Sequence, residues 1–325
     1  MSLLNYRVNQ LHFGHPQESL QLESISLGEL EEGKVRVEIE ATNINPSDLL
    51  SIHGVGQYSK NHIPPRVPGF EAVGQVIQSR SPEFSLGERV VVATSGTWQH
   101  YIDTSPDNLF RVPQSLDCGY ASQLYINALT SWVLTSEIAK LTIGDCLIIN
   151  AGSSAIGKIF SQLSCSLGFS LIVVTTRPSD YPFDSPYIID AKQDLASQIH
   201  KLGAPVPNVA FDAIGGKAGE ALLLTLEKGG TFVNYGTLSL EIYPPSFFRN
   251  AKRLDVEFST FFLRYWEKHV GNTVRREAFE KMLEHFLRHG VRLDVECCLS
   301  LKEVHKAIEL IESDQPLSGK VILTV

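Results

Sequence analysis

The sequence predicts a two-domain α/β protein in which a β-rich domain precedes a doubly wound parallel sheet. Its 325 residues, 43% of them hydrophobic, are enough to form the cores of two domains. Up to residue 117, short alternating segments are separated by closely spaced Gly and Pro, which favours strands over long helices. From residue 118 onward, helical and strand patterns alternate, as they do in parallel sheets covered by helices.

The β-rich domain is predicted from three short strands. Residues 35–41 alternate apolar and polar side chains as a half-buried strand does, and residues 73–77 and 88–92 add two more. Turn residues such as Gly33 and Pro46 interrupt the segments between them. The pattern indicates a compact, distorted barrel or sandwich.

Residues 146–177 predict the βαβ unit around which the second domain is organised. A short apolar run ends at Asn150 in a Gly- and Ser-rich turn, apolar residues recur at helical spacing up to Gly168, and a second apolar run follows. Such a unit brings the N–H groups of the turn and the helix N-terminus together, where a pyrophosphate binds. The expected contacts are Asn150, Gly152, Ser153, Ser154, Ala155, Ile156 and Gly157. Because Ala155 stands where many dinucleotide-binding turns carry glycine, an ordinary strand-to-helix turn stays open.

Arg177 ends the second strand of this unit, where the adenosine ribose is read in dinucleotide-binding sheets. A guanidinium group matches a 2′-phosphate with two parallel hydrogen bonds, whereas an acidic side chain accepts from a 2′-hydroxyl. The sequence therefore favours NADP(H) over NAD(H). The alternative is that Arg177 is solvated and that Asp180 or Asp190 reads the ribose.

The rest of the chain continues the alternation. The predicted elements are helices at 121–139, 218–226, 276–289 and 301–313 and strands at 187–190, 209–213, 229–236, 293–299 and 320–325. Ser300 and Glu303 have the spacing of a capping box. Because ligands bind beyond the carboxyl ends of parallel strands, the turns after Asn150, Thr176, Ala213 and Tyr235 are expected around one crevice. The final strand is expected to return to the first domain.

Composition excludes several classes of function. A net charge of −8 argues against nucleic acid or an anionic membrane as the main partner, and no apolar run is long enough to cross a bilayer. No secretory leader is recognised at the N-terminus, so the expected location is the cytoplasm. The five cysteines form no C-x-x-C pair, which indicates buried free thiols rather than a disulfide framework or zinc knuckle.

The chain resembles the medium-chain dehydrogenase/reductase superfamily from end to end. The matching motifs are residues 43–48 (NINPSD), 68–76 (PGFEAVGQV), 86–90 (LGERV), 96–98 (GTW) and 318–323 (SGKVIL). The resemblance implies a GroES-like domain at 1–117, completed by 266–325, and a Rossmann domain at 118–265. Where zinc-dependent members carry a cysteine and a histidine ligand, this chain has the Asn45-Pro46 region and Phe70. The resemblance therefore implies that there is no metal site. Without a metal to polarise a simple carbonyl, it also implies a substrate with a conjugated carbonyl.

Within the superfamily the chain is most similar to zinc-free 2-enoyl thioester reductases of the mitochondrial type, and quinone oxidoreductases share several of its motifs. This resemblance implies Tyr58 as proton donor and Asn45 and Thr130 as residues that position the nicotinamide or a water. It also implies cofactor contacts at Thr176, Arg177, Tyr235, Gly236, Phe261, Leu263 and Lys320, and an apolar acyl pocket at Phe262 and Trp266, with Phe261 beside them.

Each of these residues has a plainer interpretation. Tyr58 could be a surface-loop tyrosine, Asn45 could form an Asx-turn before Pro46, and Thr130 could bond its own helix backbone. The aromatic residues could serve as core or as subunit contacts.

The implied reaction is hydride transfer from NADPH to the β-carbon of an α,β-unsaturated thioester, followed by protonation of the α-carbon. Quinone reduction and NADPH binding without turnover are the alternatives. A homodimer formed by pairing of sheet edges is expected, with the strand at 232–240 or the next one along the chain at the edge.

Overall fold

A computed structural model describes residues 3–183, 187–313 and 315–325. The chain forms two compact units. The first extends to Ile126 and includes Leu293–Val325, and the second comprises Asn127–Arg292. Within the described residues, no helix is both long and apolar enough to cross a membrane.

The first unit is β-rich, as predicted. Its N-terminal part contains β1 (Leu4–Gln10), α1 (Pro16–Ser19), β2 (Leu20–Ser26), β3 (Val35–Asn43), α2 (Pro46–His53), α3 (Tyr58–Asn61), β4 (Ala72–Ser79), β5 (Arg89–Val92), β6 (Tyr101–Thr104), β7 (Leu109–Arg111) and α4 (Cys118–Ala121). The alternation predicted at 35–41 lies in β3, where Val35, Val37 and Ile39 face the core. The hairpin formed by β1 and β2 was not predicted.

The second unit is a six-stranded parallel sheet flanked by helices. It contains α5 (Thr130–Val133), β8 (Cys146–Ile149), α6 (Ala155–Leu167), β9 (Ser170–Thr175), β10 (Tyr187–Asp190), α7 (Leu195–Leu202), β11 (Val209–Asp212), α8 (Gly216–Leu223), β12 (Thr231–Asn234), α9 (Pro245–Arg253), β13 (Glu257–Thr260) and α10 (Leu263–His289). The strand order is β10-β9-β8-β11-β12-β13. The order reverses beside β8, which is where such sheets bind ligands.

The chain returns to the first unit at its C-terminus. There β14 (Val295–Ser300), α11 (Val304–Glu312) and β15 (Lys320–Thr324) follow one another, and β15 pairs with both β14 and β3. The predicted capping box is present, since the Ser300 N–H donates to Glu303 Oε2 at 3.2 Å.

The boundaries of the two units differ from the domain boundaries expected from the sequence. Residues 118–126 belong to the first unit, where the carboxylate of Glu71 accepts the N–H of Tyr125 at 3.0 Å and of Ile126 at 2.8 Å. Helix α10 belongs to the second unit, where His285 contacts Ser166 on α6 at 2.8 Å. The return to the first unit therefore begins at Leu293, not at residue 266.

Three local expectations differ from the structure. Much of the helix predicted at 121–139 is π-helical, over Leu124–Leu129 and Leu134–Ile138, and hydroxyl groups such as that of Thr135 bond to its backbone carbonyls. The helix predicted at 276–289 begins at Leu263, with Gly271 interrupting it at φ 77°. Cys165 and Cys298 are exposed thiols rather than buried ones, because their positions in α6 and β14 face outward.

Candidate functional site

The turn between β8 and α6 depends on two close backbone approaches. A Cβ atom on Gly152 would lie 2.3 Å from Val173 Cγ1, and one on Gly157 would lie 2.4 Å from the Gly152 carbonyl oxygen. Only glycine allows strand, turn and helix to meet at these distances. The Gly152 N–H donates to the Val174 carbonyl at 3.0 Å, which ties the turn to β9.

The N-terminus of α6 opens directly from this turn. Ser154 is the N-cap residue, and its hydroxyl accepts the N–H of Gly157 at 3.2 Å. Ala155 and Ile156 form the first helical turn and are half-buried. Because the first N–H groups of a helix lack intrahelical partners and carry its positive dipole end, they are suited to hold a phosphate.

A cavity of about 370 Å³ lies beside this turn, within the second unit. Its lining residues are Asn150, Ala151, Ser153, Ser154, Val174, Thr175, Thr176, Arg177, Ala191, Leu195, Ile214, Ala218, Ala221 and Leu222. Polar groups come from the turn and the end of β9, whereas the residues after β10 and β11 are apolar. This division suits a nucleotide, whose phosphates need donors and whose base needs an apolar slot.

The structure brings together the predicted contacts Asn150, Ser153, Ser154, Thr176 and Arg177 in this cavity. Sequence reasoning missed its apolar lining. The expectation that the turns after parallel strands converge could have identified Ala191, which directly follows β10, and Ile214, which lies two residues after β11.

The two acidic alternatives to Arg177 do not line the cavity. Asp190 accepts the N–H of Lys192 at 2.9 Å and the amide of Gln193 at 3.1 Å, so its carboxylate is used within the turn after β10. Asp180 accepts from the hydroxyl of Ser179 at 3.1 Å. Arg177 is thus the residue at the end of β9 that offers a charged donor to the cavity.

The side chain of Asn150 joins two strands. Its Nδ2 donates to Asp212 Oδ1 at 2.6 Å, and its Oδ1 accepts the N–H of Ala213 at 2.8 Å. Asp212 is completely buried and also accepts from the hydroxyl of Tyr243. Asn150 therefore fixes the β8 end against β11 at the point where the cavity opens.

Tyr235 and Gly236 follow β12. The Tyr235 hydroxyl is buried and has no hydrogen-bond partner among the described residues. Burial and the charge of Asp212 raise the pKa of this phenol, so it keeps its proton and remains an unused donor. A Cβ atom on Gly236 would lie 2.7 Å from the Ala213 carbonyl oxygen.

The junction between β13 and α10 carries the predicted aromatic residues. Phe261 is 8% exposed and its N–H donates to the Asn234 carbonyl at 2.7 Å. Leu263 begins α10, and Trp266 is buried within it. Phe262 is 39% exposed and contacts the ring of Tyr265 at 5.1 Å. Phe262 is therefore the member of this group that a ligand can reach directly.

In the first unit, Glu71 is the centre of a buried polar network. Its carboxylate accepts Asn43 Nδ2 at 3.0 Å and Asn45 Nδ2 at 2.8 Å, besides the two backbone N–H groups given above. Burial raises the pKa of Glu71, while these four N–H bonds favour its ionised form. The network was not predicted, because its members are far apart in sequence.

Asn45 and Lys320 both belong to this network. The second N–H of the Asn45 amide donates to Asn43 Oδ1 at 2.7 Å, so both of its donors are used inside the protein. Lys320 Nζ donates to Asn45 Oδ1 at 2.6 Å and to the Ile44 carbonyl at 3.2 Å. The structure thus gives both residues a role in holding the start of α2. Their contact with a cofactor or substrate stays a prediction.

Two neighbouring charges in the network are strongly perturbed. Asp48 is completely buried, and burial raises its pKa to about 7, although its carboxylate accepts the Asn45 N–H at 2.7 Å. Burial lowers the pKa of Lys320 to about 8, although Glu71 and Asp48 favour its charged form. Asp48 therefore takes up its proton near neutral pH.

Tyr58 is held by two aromatic neighbours. It begins α3 and is half-buried. Its ring is stacked with that of Phe70, with 6.0 Å between the ring centroids, and its centroid is 5.8 Å from that of His62. His62 also meets Phe70 edge-on at 5.0 Å. Sequence reasoning missed His62, although it lies one helical turn after Tyr58. The two neighbouring rings thus orient the Tyr58 phenol.

The predicted catalytic residues are divided between the units. Tyr58 and Asn45 belong to the first unit, and Thr130, which is 8% exposed at the start of α5, belongs to the second. In the described part of the chain, no group of three or more His, Cys, Asp or Glu side chains is arranged to hold a metal ion.

Comparison with known proteins gives consistent similarities for both units. The model of the alcohol dehydrogenase GroES-like domain matches residues 31–122, and that of the zinc-binding dehydrogenase family matches residues 186–323. The chain is 30% identical over 282 residues to the mitochondrial enoyl-[acyl-carrier-protein] reductase of Xenopus tropicalis, covering 81% of this chain and 79% of that protein. It is 29% identical to the human protein of the same name over 351 aligned residues, covering 98% and 89%.

Among solved structures, the chain is similar to a putative NADPH:quinone reductase from Bacillus thuringiensis. The sequence identity is 32%, the TM-score is 0.91, and each chain is covered completely.

Proposed function

The chain belongs to the medium-chain dehydrogenase/reductase superfamily, and we propose that it reduces the activated C=C bond of a trans-2-enoyl thioester. It is an NADPH-dependent reductase. The observation that carries the choice of substrate is Tyr58, a phenol oriented by Phe70 and His62 in the unit that supplies the family's GroES-like domain. A thioester reduction needs such a proton donor, whereas a quinone can take its proton from water.

The residues around the cavity fit the cofactor. The Gly152 turn and the N-terminus of α6 would hold the pyrophosphate, Arg177 the 2′-phosphate, and the apolar residues after β10 and β11 the adenine. The Tyr235 hydroxyl is buried and has no partner among the described residues, and it is proposed as a further donor to the cofactor, although Tyr235 does not line the cavity itself. When bound, NADPH supplies the hydride.

Tyr58 would complete the reduction by donating its phenolic proton to the α-carbon of the enolate. A neutral phenol is a donor at neutral pH and takes back a proton from solvent, to which the half-buried Tyr58 has access. Removing a positioned general acid typically costs 10²- to 10⁴-fold in rate.

We also propose that the reaction is independent of zinc. This rests on side chains, since the family resemblance puts Phe70 where zinc-dependent members carry a ligating histidine, and a phenyl ring cannot coordinate a metal. The amide of Asn45, near the position of a ligating cysteine, is engaged with Glu71 and Asn43.

Quinone reduction is the second candidate, favoured by the 32% identity to the Bacillus thuringiensis protein.

The experiment that tests the proposed function follows the loss of NADPH absorbance with crotonyl-CoA, a longer trans-2-enoyl-CoA and a soluble quinone. For the wild type we expect enoyl-CoA turnover, reduced at least about 100-fold in Tyr58→Phe. Tyr6→Phe, which removes an exposed phenol from β1, is the matched control.

The outcomes separate the candidates. Quinone turnover alone, unaffected by Tyr58→Phe, would contradict the enoyl-thioester proposal. NADPH binding without oxidation by any acceptor would favour a protein that senses the cofactor.

The chain is proposed to form a homodimer through one edge of the second unit's sheet. The edge strands of this sheet are β10 and β13, and β12 lies between β11 and β13, so of the two alternatives from the sequence only the second, β13, is an edge strand. Its outer side pairs with no other strand in the described residues, and Ile242 and Phe248, which precede it, are 90% and 54% exposed. Unpaired edges and exposed apolar residues favour pairing with a second copy.

The cytoplasm stays the proposed location. The relatives named above are mitochondrial proteins, so cell fractionation with an antibody to this chain is the decisive observation. Recovery with mitochondria would contradict the proposal.

A further inference from the structure

The connection between β9 and β10 departs from the usual form of a parallel crossover. Neighbouring parallel strands are normally joined by an α-helix. Here the described part of the connection contains only one short 3₁₀ turn, Pro178–Asp180. Arg177 stands at its start, so the residue expected to read the 2′-phosphate lies on a segment whose described residues form no α-helix.

A hydrogen bond attaches this segment to α6. The hydroxyl groups of Tyr181 and Ser161 are 2.5 Å apart, and Ser161 is 4% exposed on the second turn of the helix. Burial raises the pKa of Tyr181 to about 12, so the phenol stays protonated and can donate to the serine oxygen.

A second attachment uses the next residue of the same helix. The side chain of Gln162 accepts the N–H of Arg292 at 2.7 Å and donates to its carbonyl at 2.9 Å. The guanidinium of Arg292 then lies over the ring of Phe183, 4.9 Å from its centroid. Consecutive residues of α6 thus hold the segment at Tyr181 and at Phe183.

Arg177 itself is connected to the phosphate-binding turn. Its N–H donates to Thr175 Oγ1 at 3.2 Å, and that hydroxyl is 2.7 Å from the hydroxyl of Ser153. The backbone of Arg177 is therefore fixed on one side to the turn and on the other, through Tyr181, to the helix whose N-terminus opens into the cavity.

We propose that Tyr181 is a positioning residue for Arg177 and thereby sets the preference for a dinucleotide that carries a 2′-phosphate. The proposal rests on the NADPH dependence stated above. A guanidinium gains its advantage from two parallel bonds in a fixed plane, so a segment held in place loses less freedom on binding than a loose one. NADH, which lacks the 2′-phosphate, gains nothing from this arrangement.

The test is cofactor binding in the absence of any acceptor, measured by calorimetry with NADPH and with NADH. Tyr181→Phe keeps the ring and removes the hydrogen bond. We expect the Kd for NADPH to rise about three- to tenfold and the Kd for NADH to stay unchanged. Ser161→Ala removes the same bond from the other side and should give the same result, whereas Tyr6→Phe should change neither Kd.

A double variant separates positioning from a general structural effect. In an Arg177→Ala background, Tyr181→Phe should no longer affect NADPH binding, because the two residues act in series. An unchanged Kd for NADPH in Tyr181→Phe, an equal loss for both cofactors, or a persistent effect without Arg177 would overturn the inference.

The same measurement keeps this inference distinct from the proposed function. Equal affinity of the wild type for NADPH and NADH would contradict the cofactor assignment and the inference together. A wild type that prefers NADPH, with a silent Tyr181→Phe, would overturn the inference alone. A missing enoyl-CoA turnover would affect neither binding result.

Discussion

Asp48 shows how one buried residue can make stability depend on pH. Its carboxylate shares the interior of the first unit with Glu71 and Lys320, but it accepts a single backbone N–H, whereas Glu71 accepts four N–H groups. Burial raises the pKa of Asp48 to about 7. As pH falls through about 7, Asp48 therefore takes up a proton.

We expect Asp48→Asn to remove a pH dependence of stability. In the wild type, folded Asp48 holds its proton up to about pH 7, whereas the unfolded chain releases it near pH 4. The stabilisation is complete below about pH 4 and is lost as pH rises through 7, at about 1.4 kcal/mol per pH unit. Asparagine does not titrate, so the free energy of unfolding of the variant relative to wild type should rise across this window.

Urea unfolding between about pH 4 and pH 8 measures this difference. Asp255→Asn, at an exposed position with φ 56° that asparagine tolerates, is the control for the same substitution on the surface. A stability difference between Asp48→Asn and wild type that does not change with pH would mean that the buried carboxyl is ionised throughout the range.

At the scale of elements, the spacing of apolar residues predicted the strands and helices that depend on nearby residues alone. The strand at 35–41 and the βαβ unit at 146–177 both occur as expected, because a strand buries every second residue and a helix buries residues three or four apart. The capping box at Ser300 is likewise local. The first half of α10 was missed although Leu263, Trp266, Val270 and Val274 are spaced three or four apart, and Gly271, at φ 77°, interrupts the helix between its two halves.

In the candidate site, too, the features set by nearby residues were predicted and those set by distant residues were not. The polar side of the cavity was predicted because the turn after β8 and the end of β9 are fixed by topology. The network in the first unit was not, since Asn45 is 26 residues from Glu71 and 275 from Lys320 in sequence. Only the fold brings these three together, and no spacing rule indicates their contact.

At Gly157 the first turn of α6 approaches the backbone of the preceding turn so closely that we expect Gly157→Ala to be destabilising. In a helix, Ala is favoured over Gly by about 1 kcal/mol. At Gly157 the added Cβ would lie 2.4 Å from the Gly152 carbonyl oxygen and 2.8 Å from that of Ala151, both backbone atoms that cannot turn aside. We expect the clash to dominate, with a net loss of about 1–3 kcal/mol in the free energy of unfolding and at least about tenfold weaker NADPH binding.

Thermal unfolding and calorimetry measure both effects of Gly157→Ala. Gly28→Ala is the control, because a Cβ there meets nothing within 4 Å and the backbone needs no positive φ. A Gly157→Ala protein as stable as wild type, with normal NADPH affinity, would show that the turn can shift away from α6.

At the scale of the whole molecule, the proposed homodimer depends on the backbone groups at the β13 edge. The N–H groups of Glu257 and Phe261 donate to the Gly230 and Asn234 carbonyls, at 2.9 and 2.7 Å. Since successive residues of a strand alternate in direction, the N–H of Thr260 points away from β12, toward the edge. Thr260 is itself exposed, so its N–H is available to a strand of a second copy.

We therefore expect Thr260→Pro to weaken the homodimer without unfolding the monomer. Proline removes one edge N–H and is tolerated where that N–H faces outward. Light scattering over a dilution series should show monomer at concentrations where the wild type is dimeric. Thr260→Ala, which keeps the N–H, should remain dimeric, and Ser259→Pro, whose lost N–H faces β12, should instead lower the free energy of unfolding. A Thr260→Pro dimer as tight as wild type, or a wild type that is monomeric throughout, would show that this edge does not join two copies.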